Sequence, residues 1–118
     1  MITYWHNPRC SKSRAGLALF EAKGLAPQVR LYLQDGPSLD ELKALQAALG
    51  LSAIKMMRRG EKIFKELDLH EDSPEAELLD AMVAHPILIE RPIAIKKDAI
   101  KGDEAVIGRP TEALDALI

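Results

Sequence analysis

The 118-residue chain is long enough to build a core without disulfide or metal support. Its 16 Lys and Arg against 18 Asp and Glu give a formal charge of −2, so it lacks the basic excess of a nucleic-acid binder. No run of about 18 apolar residues suits a membrane span, and the N-terminus lacks a secretory signal pattern, so a cytoplasmic protein with no membrane partner is expected.

Residues 2–5 read as a short strand, followed by a polar loop containing Pro8 and a helix from about Ser11 to Lys23, stopped at Gly24. Val29 to Leu33 reads as a second strand, with Val29, Leu31 and Leu33 alternating against Arg30 and Tyr32. The Asp35-Gly36-Pro37 turn leads to a capping box, Ser38-Leu39-Asp40-Glu41, and a helix closed by Gly50. Two more helical stretches follow: about Ala53 to Leu67, broken near Gly60, and from Ser73-Pro74 to just before His85-Pro86. Ile87–Ile89 and Ile93–Ile95 are β-branched runs predicted as strands, and Ala105–Ile107 follows a Lys101-Gly102-Asp103 turn. Thr111 to Ile118 closes the chain as a short helix. The order β-α-β, helical block, β-β-α predicts an α/β, thioredoxin-like fold with a mixed sheet flanked by helices. One domain is expected over 1–118, its core formed by 1–35 and 86–118 and a helical insertion by about 38–85.

Cys10 is the sole cysteine, within His6-Asn7-Pro8-Arg9-Cys10-Ser11-Lys12-Ser13-Arg14. A thiol at a helix N-terminus sees unpaired N–H groups and the positive end of the helix dipole, and Arg9, Lys12 and Arg14 add positive charge. The surroundings favour the thiolate, and a pKa below the free value of about 8.5 is expected. A buried structural cysteine would carry apolar flanks instead. With no second cysteine, nothing in the chain can resolve an adduct on Cys10, so an external thiol is required. Nor can a zinc pattern be drawn from one cysteine with His70 and His85, so no metal is expected.

The Cys10 run, Met57-Arg58-Arg59, His85-Pro86-Ile87-Leu88-Ile89-Glu90-Arg91-Pro92-Ile93 and Gly108-Arg109-Pro110-Thr111-Glu112 together resemble the glutaredoxin-coupled arsenate reductase family. The resemblance covers nearly the whole chain and implies that Cys10 is the nucleophile and that Arg58, Arg91 and Arg109 bind the oxyanion. Chemically, arsenate is a compact anion, and an anionic nucleophile approaches it only where cations offset both charges; guanidinium groups do this with paired donors. The resemblance implies no bound cofactor, glutathione as co-substrate and glutaredoxin as partner, and Pro92 as a cis proline facing Cys10. Arg91 and Arg109 each precede a proline, which favours extended backbone and suits a side chain projected into a cleft. His6 either tunes Cys10 or braces the loop. Ser13 either donates to the thiolate or oxyanion or satisfies the first helical turn, and Arg14 matches the motif beside it. Arg59 reads as a solvated neighbour of Arg58.

Well-known members carry Gly-Thr where this chain has Ser11-Lys12, which adds charge and bulk beside the cysteine. A phosphatase-like arsenate reductase would need an arginine where Gly16 stands, and a dithiol thioredoxin a second cysteine where Ser13 stands. The rival from another class is a non-enzymatic redox-sensing or partner-binding thioredoxin-like module with Cys10 glutathionylated. That reading has no need of Arg58, Arg91 and Arg109 together.

Overall fold

The computed structural model describes residues 1–98, 100 and 102–118, so Lys101 of the predicted turn lies outside the described residues. Two compact units divide the chain, one of residues 1–35 and 91–118, the other of residues 36–90. No helix among the described residues is long and apolar enough to cross a membrane.

The first unit is built on a four-stranded sheet in the order β2-β1-β3-β4, formed by β1 (Ile2–Trp5), β2 (Gln28–Arg30), β3 (Ile93–Lys96) and β4 (Glu104–Ile107). β1 and β2 are parallel and joined through helix α1 (Ser11–Ala22), a crossover that side-by-side parallel strands require. β3 runs antiparallel to β1 and to β4. This is the mixed sheet expected of a thioredoxin-like α/β core. Tyr4, Phe20, Ala94, Leu114 and Leu117 form its buried apolar centre. Register then sets where the site must lie. Trp5 pairs with Ile93 and Ile93 with Ile107, so the chain leaving β1, the chain entering β3 and the chain leaving β4 emerge at one end of the sheet. Those three segments carry Cys10, Arg91 and Arg109.

Two elements differ from expectation in this unit. The second strand ends at Arg30, because β1 offers no partner beyond Trp5, and the Asp35 N–H turns back to the Leu31 carbonyl. The alternation is also inverted: Tyr32 is fully buried and stacks on Trp5 with ring centroids 6.1 Å apart, while Val29, Leu31 and Leu33 are exposed. The closing helix, Thr111–Leu117, is 3-10 in form.

The second unit is helical: α2 (Leu39–Leu49), α3 (Lys62–Glu66) and α4 (Glu75–Ala84). The capping box at Ser38 forms as read, its hydroxyl accepting from Glu41 N–H at 3.1 Å, and α2 ends at Gly50 in the left-handed conformation. The stretch predicted as one broken helix from Ala53 is a 3-10 turn at Ala53–Met56 and then, after an extended Met57, α3. The predicted strand at Ile87–Ile89 is instead a 3-10 turn over Pro86–Leu88, since Pro86 fixes a turn-compatible backbone and Leu88 N–H closes on the His85 carbonyl. Only Ile89 joins a ladder, as an isolated bridge to Met57.

Gly16 on α1 marks the tightest contact beneath the site. A Cβ there would collide with the Tyr4 hydroxyl and lie 2.8 Å from Leu114 Cδ1. Alanine gains up to about 1 kcal/mol of helix propensity over glycine, but overpacking of this kind costs about 1–3 kcal/mol. Gly16→Ala is therefore expected to destabilise the protein, read as a lower urea midpoint, whereas Gly60→Ala, with open space around it, is expected to leave the midpoint nearly unchanged.

Candidate active site

Cys10, a half-buried residue, is the N-cap of α1, in extended backbone and without a side-chain capping hydrogen bond. The loop that delivers it is fixed from inside. Asn7 accepts the Cys10 N–H on its carbonyl at 3.0 Å and the Arg9 N–H on its side chain at 3.1 Å. Ser13, fully buried, is committed on both its polar oxygens. Its hydroxyl accepts the Asn7 N–H at 3.0 Å and lies 2.7 Å from His6 Nδ1, while its carbonyl accepts the Tyr4 hydroxyl at 2.7 Å. Burial, followed by the Arg14 charge, holds the His6 pKa below its ordinary value and so favours the neutral imidazole. Burial likewise raises the pKa of Tyr4 far above its ordinary value and keeps it a donor.

These contacts brace the loop through His6, whereas the Ser13 hydroxyl takes neither of its expected partners and joins the loop instead. The Ser13 hydroxyl is engaged with His6 and Asn7, and what Ser13 offers Cys10 is its backbone N–H. Tyr4 was missed as a site residue. Its signal was a polar-tipped aromatic on an apolar strand two residues before His6, a residue type that normally seeks a partner when buried.

Partial burial raises the Cys10 pKa, but the opposing contributions prevail and the thiol is held below its ordinary value. The Ser13 N–H is the largest of these, followed by a hydrogen bond from Arg91, the Lys12 N–H and the Arg91 charge. The cations nearest in sequence do not carry the effect: Arg14 donates to the Pro8 carbonyl at 2.8 Å, and Arg9 and Lys12 side chains are exposed. Arg91 is 8% exposed, so its charge acts on the sulfur with little screening.

Arg109 reaches the same sulfur from the end of β4. Its Nη2 lies 3.5 Å from Cys10 Sγ, and its Nε donates to the Arg91 carbonyl at 2.6 Å, tying the two arginine segments together. Gly108 permits this approach, since a Cβ would stand 2.8 Å from Pro92 Cγ; its N–H donates to the Pro92 carbonyl at 2.9 Å. Arg91–Pro92 is cis, and so is Arg109–Pro110.

Arg58 belongs to the second unit. There its Nε donates to Glu61 Oε1 at 3.2 Å and its Nη1 to Glu90 Oε1 at 3.3 Å, in a partly buried cluster. Its N–H bonds the Leu88 carbonyl while Glu90 N–H bonds the Met56 carbonyl, so the Met57–Ile89 bridge holds both ends of the Arg58–Glu90 pair. Arg59 forms an exposed 3.7 Å pair with Glu71. Among the described residues no group of three or more His, Cys, Asp or Glu side chains is arranged to hold a metal ion.

The first unit thus presents one accessible sulfur, poised as an anion and touched by two guanidinium groups. Such a group can attack an electrophilic centre that itself carries negative charge. The alkylation rate of Cys10 by iodoacetamide is expected to reach half its plateau at a lower pH than a free cysteine does. Arg91→Gln is expected to move that midpoint upward, and an unshifted midpoint in the variant would show that Arg91 does not hold the thiol toward its anion.

Comparison with known proteins finds relatives along nearly the whole chain. The model of the ArsC family matches residues 5–117. An arsenate reductase of Haemophilus influenzae is 44% identical over 115 residues, covering 96% of this chain and 95% of that protein. An arsenate reductase of Escherichia coli is 43% identical over 95 residues, covering 80% of this chain and 67% of that protein. The solved structure of an arsenate reductase from Vibrio cholerae superposes with a TM-score of 0.91 at 44% identity, covering 99% of this chain and 97% of that one. Matched from β1 to the final 3-10 turn in sequence and along nearly its full length in structure, the chain belongs to the ArsC family.

Proposed function

We propose that the protein is an arsenate reductase that works through a Cys10–arsenic adduct and an external thiol. The observation that carries this reading is the pair of guanidinium groups, Arg91 and Arg109, on the sulfur of an accessible cysteine held toward its anion. Relatives named arsenate reductase at 43–44% identity support the choice of oxyanion.

In the first step the Cys10 thiolate attacks arsenic(V), an S–As bond forms, and an arsenate oxygen leaves as hydroxide or, once protonated, as water. Arg91 and Arg109 offset the charge that accumulates as two anions meet, in a site where screening by water is reduced. We also assign Arg58 to the oxyanion on its place in the motif; an incoming dianion competes for it with Glu61 and Glu90. In the second step a thiolate attacks Cys10 Sγ, an S–S bond forms and the S–As bond breaks. The electron pair stays on arsenic, reducing it from (V) to (III), and arsenite leaves after taking up a proton. Two thiols are oxidised to one disulfide for each arsenic reduced.

Because Cys10 is the chain's only cysteine, the second thiol comes from outside. We assign it to glutathione, with glutaredoxin clearing the resulting mixed disulfide, a cycle that suits a reducing cytoplasm. The protein itself then needs no bound cofactor.

Arsenite production is the test, measured with glutathione and glutaredoxin, with thioredoxin alone, and with no thiol. Turnover is expected only where glutathione is present. Cys10→Ser is expected to abolish it, and Arg91→Gln or Arg109→Gln to lower kcat/KM for arsenate by roughly 10²-fold. Multiple turnovers without thiol would contradict single-cysteine chemistry, and glutathionylation of Cys10 with no arsenite under any condition would favour the redox-sensing module.

A further inference from the structure

Two of the cations that enter α1 with Cys10 have no task inside the protein. Arg14 is engaged with the Pro8 carbonyl and bears on His6. The charged groups of Arg9 and Lys12, by contrast, are exposed and without an ion-pair or hydrogen-bond partner among the described residues, and neither charge is among the causes that hold Cys10 toward its anion. The backbone at both positions is nevertheless fixed: Arg9 N–H donates to the Asn7 side chain, and Lys12 lies in the first turn of α1 with its N–H serving the sulfur.

Their charge is also concentrated against the trend of the chain. The unit that carries Cys10 has 10 basic and 7 acidic residues, whereas residues 36–90 have 6 basic and 11 acidic. No acidic residue precedes Glu21. Within a protein of formal charge −2, the approach to the nucleophile is cationic. The arsenate dianion is served by Arg91 and Arg109, which touch the sulfur. The reactant that still lacks a recognition element is the second one, the thiol.

We propose that Arg9 and Lys12 form a docking collar for a small thiol bearing carboxylates, of the glutathione class, and so select it over uncharged thiols. The proposal rests on the reading of Cys10 as a nucleophile cleared by an external thiol. The carboxylates of such a molecule can pair with the collar while its sulfur attacks Cys10 Sγ. The gain is chiefly in encounter, because exposed charges steer an oppositely charged reactant while adding little to its bound stability.

The same recognition governs the reverse exchange, in which the Cys10 thiolate attacks a disulfide, its S–S bond breaks and a thiolate leaves. This gives a test free of arsenate. Rates of mixed-disulfide formation on Cys10 are measured with oxidised glutathione and with uncharged hydroxyethyl disulfide, and their ratio is compared across the wild type, Arg9→Gln/Lys12→Gln and Arg9→Glu/Lys12→Glu. The ratio is expected to fall stepwise, by about tenfold in the double Glu variant, and the wild-type ratio is expected to fall with added salt. An unchanged ratio overturns the proposal. So does an equal slowing with both disulfides, which would assign the two cations to the reactivity of the thiol itself. A wild-type Cys10 that reacts with neither reagent would overturn the nucleophile reading as well, and is thereby distinguished from failure of the collar alone.

Discussion

A thiolate that is partly withdrawn from water is costly, and the first unit is arranged around offsetting that cost at Cys10. Ser13 is where the arrangement converges. Its N–H serves the sulfur, its hydroxyl joins His6 to Asn7, and its carbonyl takes the Tyr4 hydroxyl, so strand β1, the loop and the first turn of α1 meet on one buried residue. Each such hydrogen bond contributes about 1 kcal/mol net, but an unsatisfied buried partner would cost more than that. The loop therefore has little freedom to move the sulfur away from the helix terminus.

Sheet register supplies the second half of the compensation. Strand pairing brings the residues before β3 and after β4 to the end of the sheet where Cys10 emerges, and the Arg109 bond to the Arg91 carbonyl fixes the two segments to each other. Arg91 is almost fully buried against the sulfur, while Arg109 remains exposed. One cation thus acts at low screening on the resting thiolate and the other is placed to meet an arriving anion. Arg58 follows a different pattern, its charge balanced by Glu61 and Glu90 within its own unit.

Much of this was legible in the sequence, because helix caps and strand composition are local signals. The capping box at Ser38, the stop at Gly50 and the β1-α1-β2 order follow from residues within a few positions of each other. Tertiary partners decided what was misread. Val29, Leu31 and Leu33 looked like a buried face, yet Trp5 selected Tyr32 for burial and left them exposed. Ile87–Ile89 has strand composition, but Pro86 closes it into a turn. At the site, proximity in sequence misled in the same way: Arg9, Lys12 and Arg14 suggested the stabilising charge, whereas Arg91, distant in sequence, supplies it. The family motifs named Arg91 and Arg109, and only strand register explains why they meet.

In the proposed cycle one sulfur, Cys10, carries the arsenic and then the second thiol in turn. Intact-mass measurement of the protein mixed with arsenate and one equivalent of glutathione, with arsenite quantified in the same sample, tests it most directly. One glutathione on Cys10 is expected for each arsenite released. Arsenite released from protein whose Cys10 remains unmodified, with glutaredoxin absent, would contradict it.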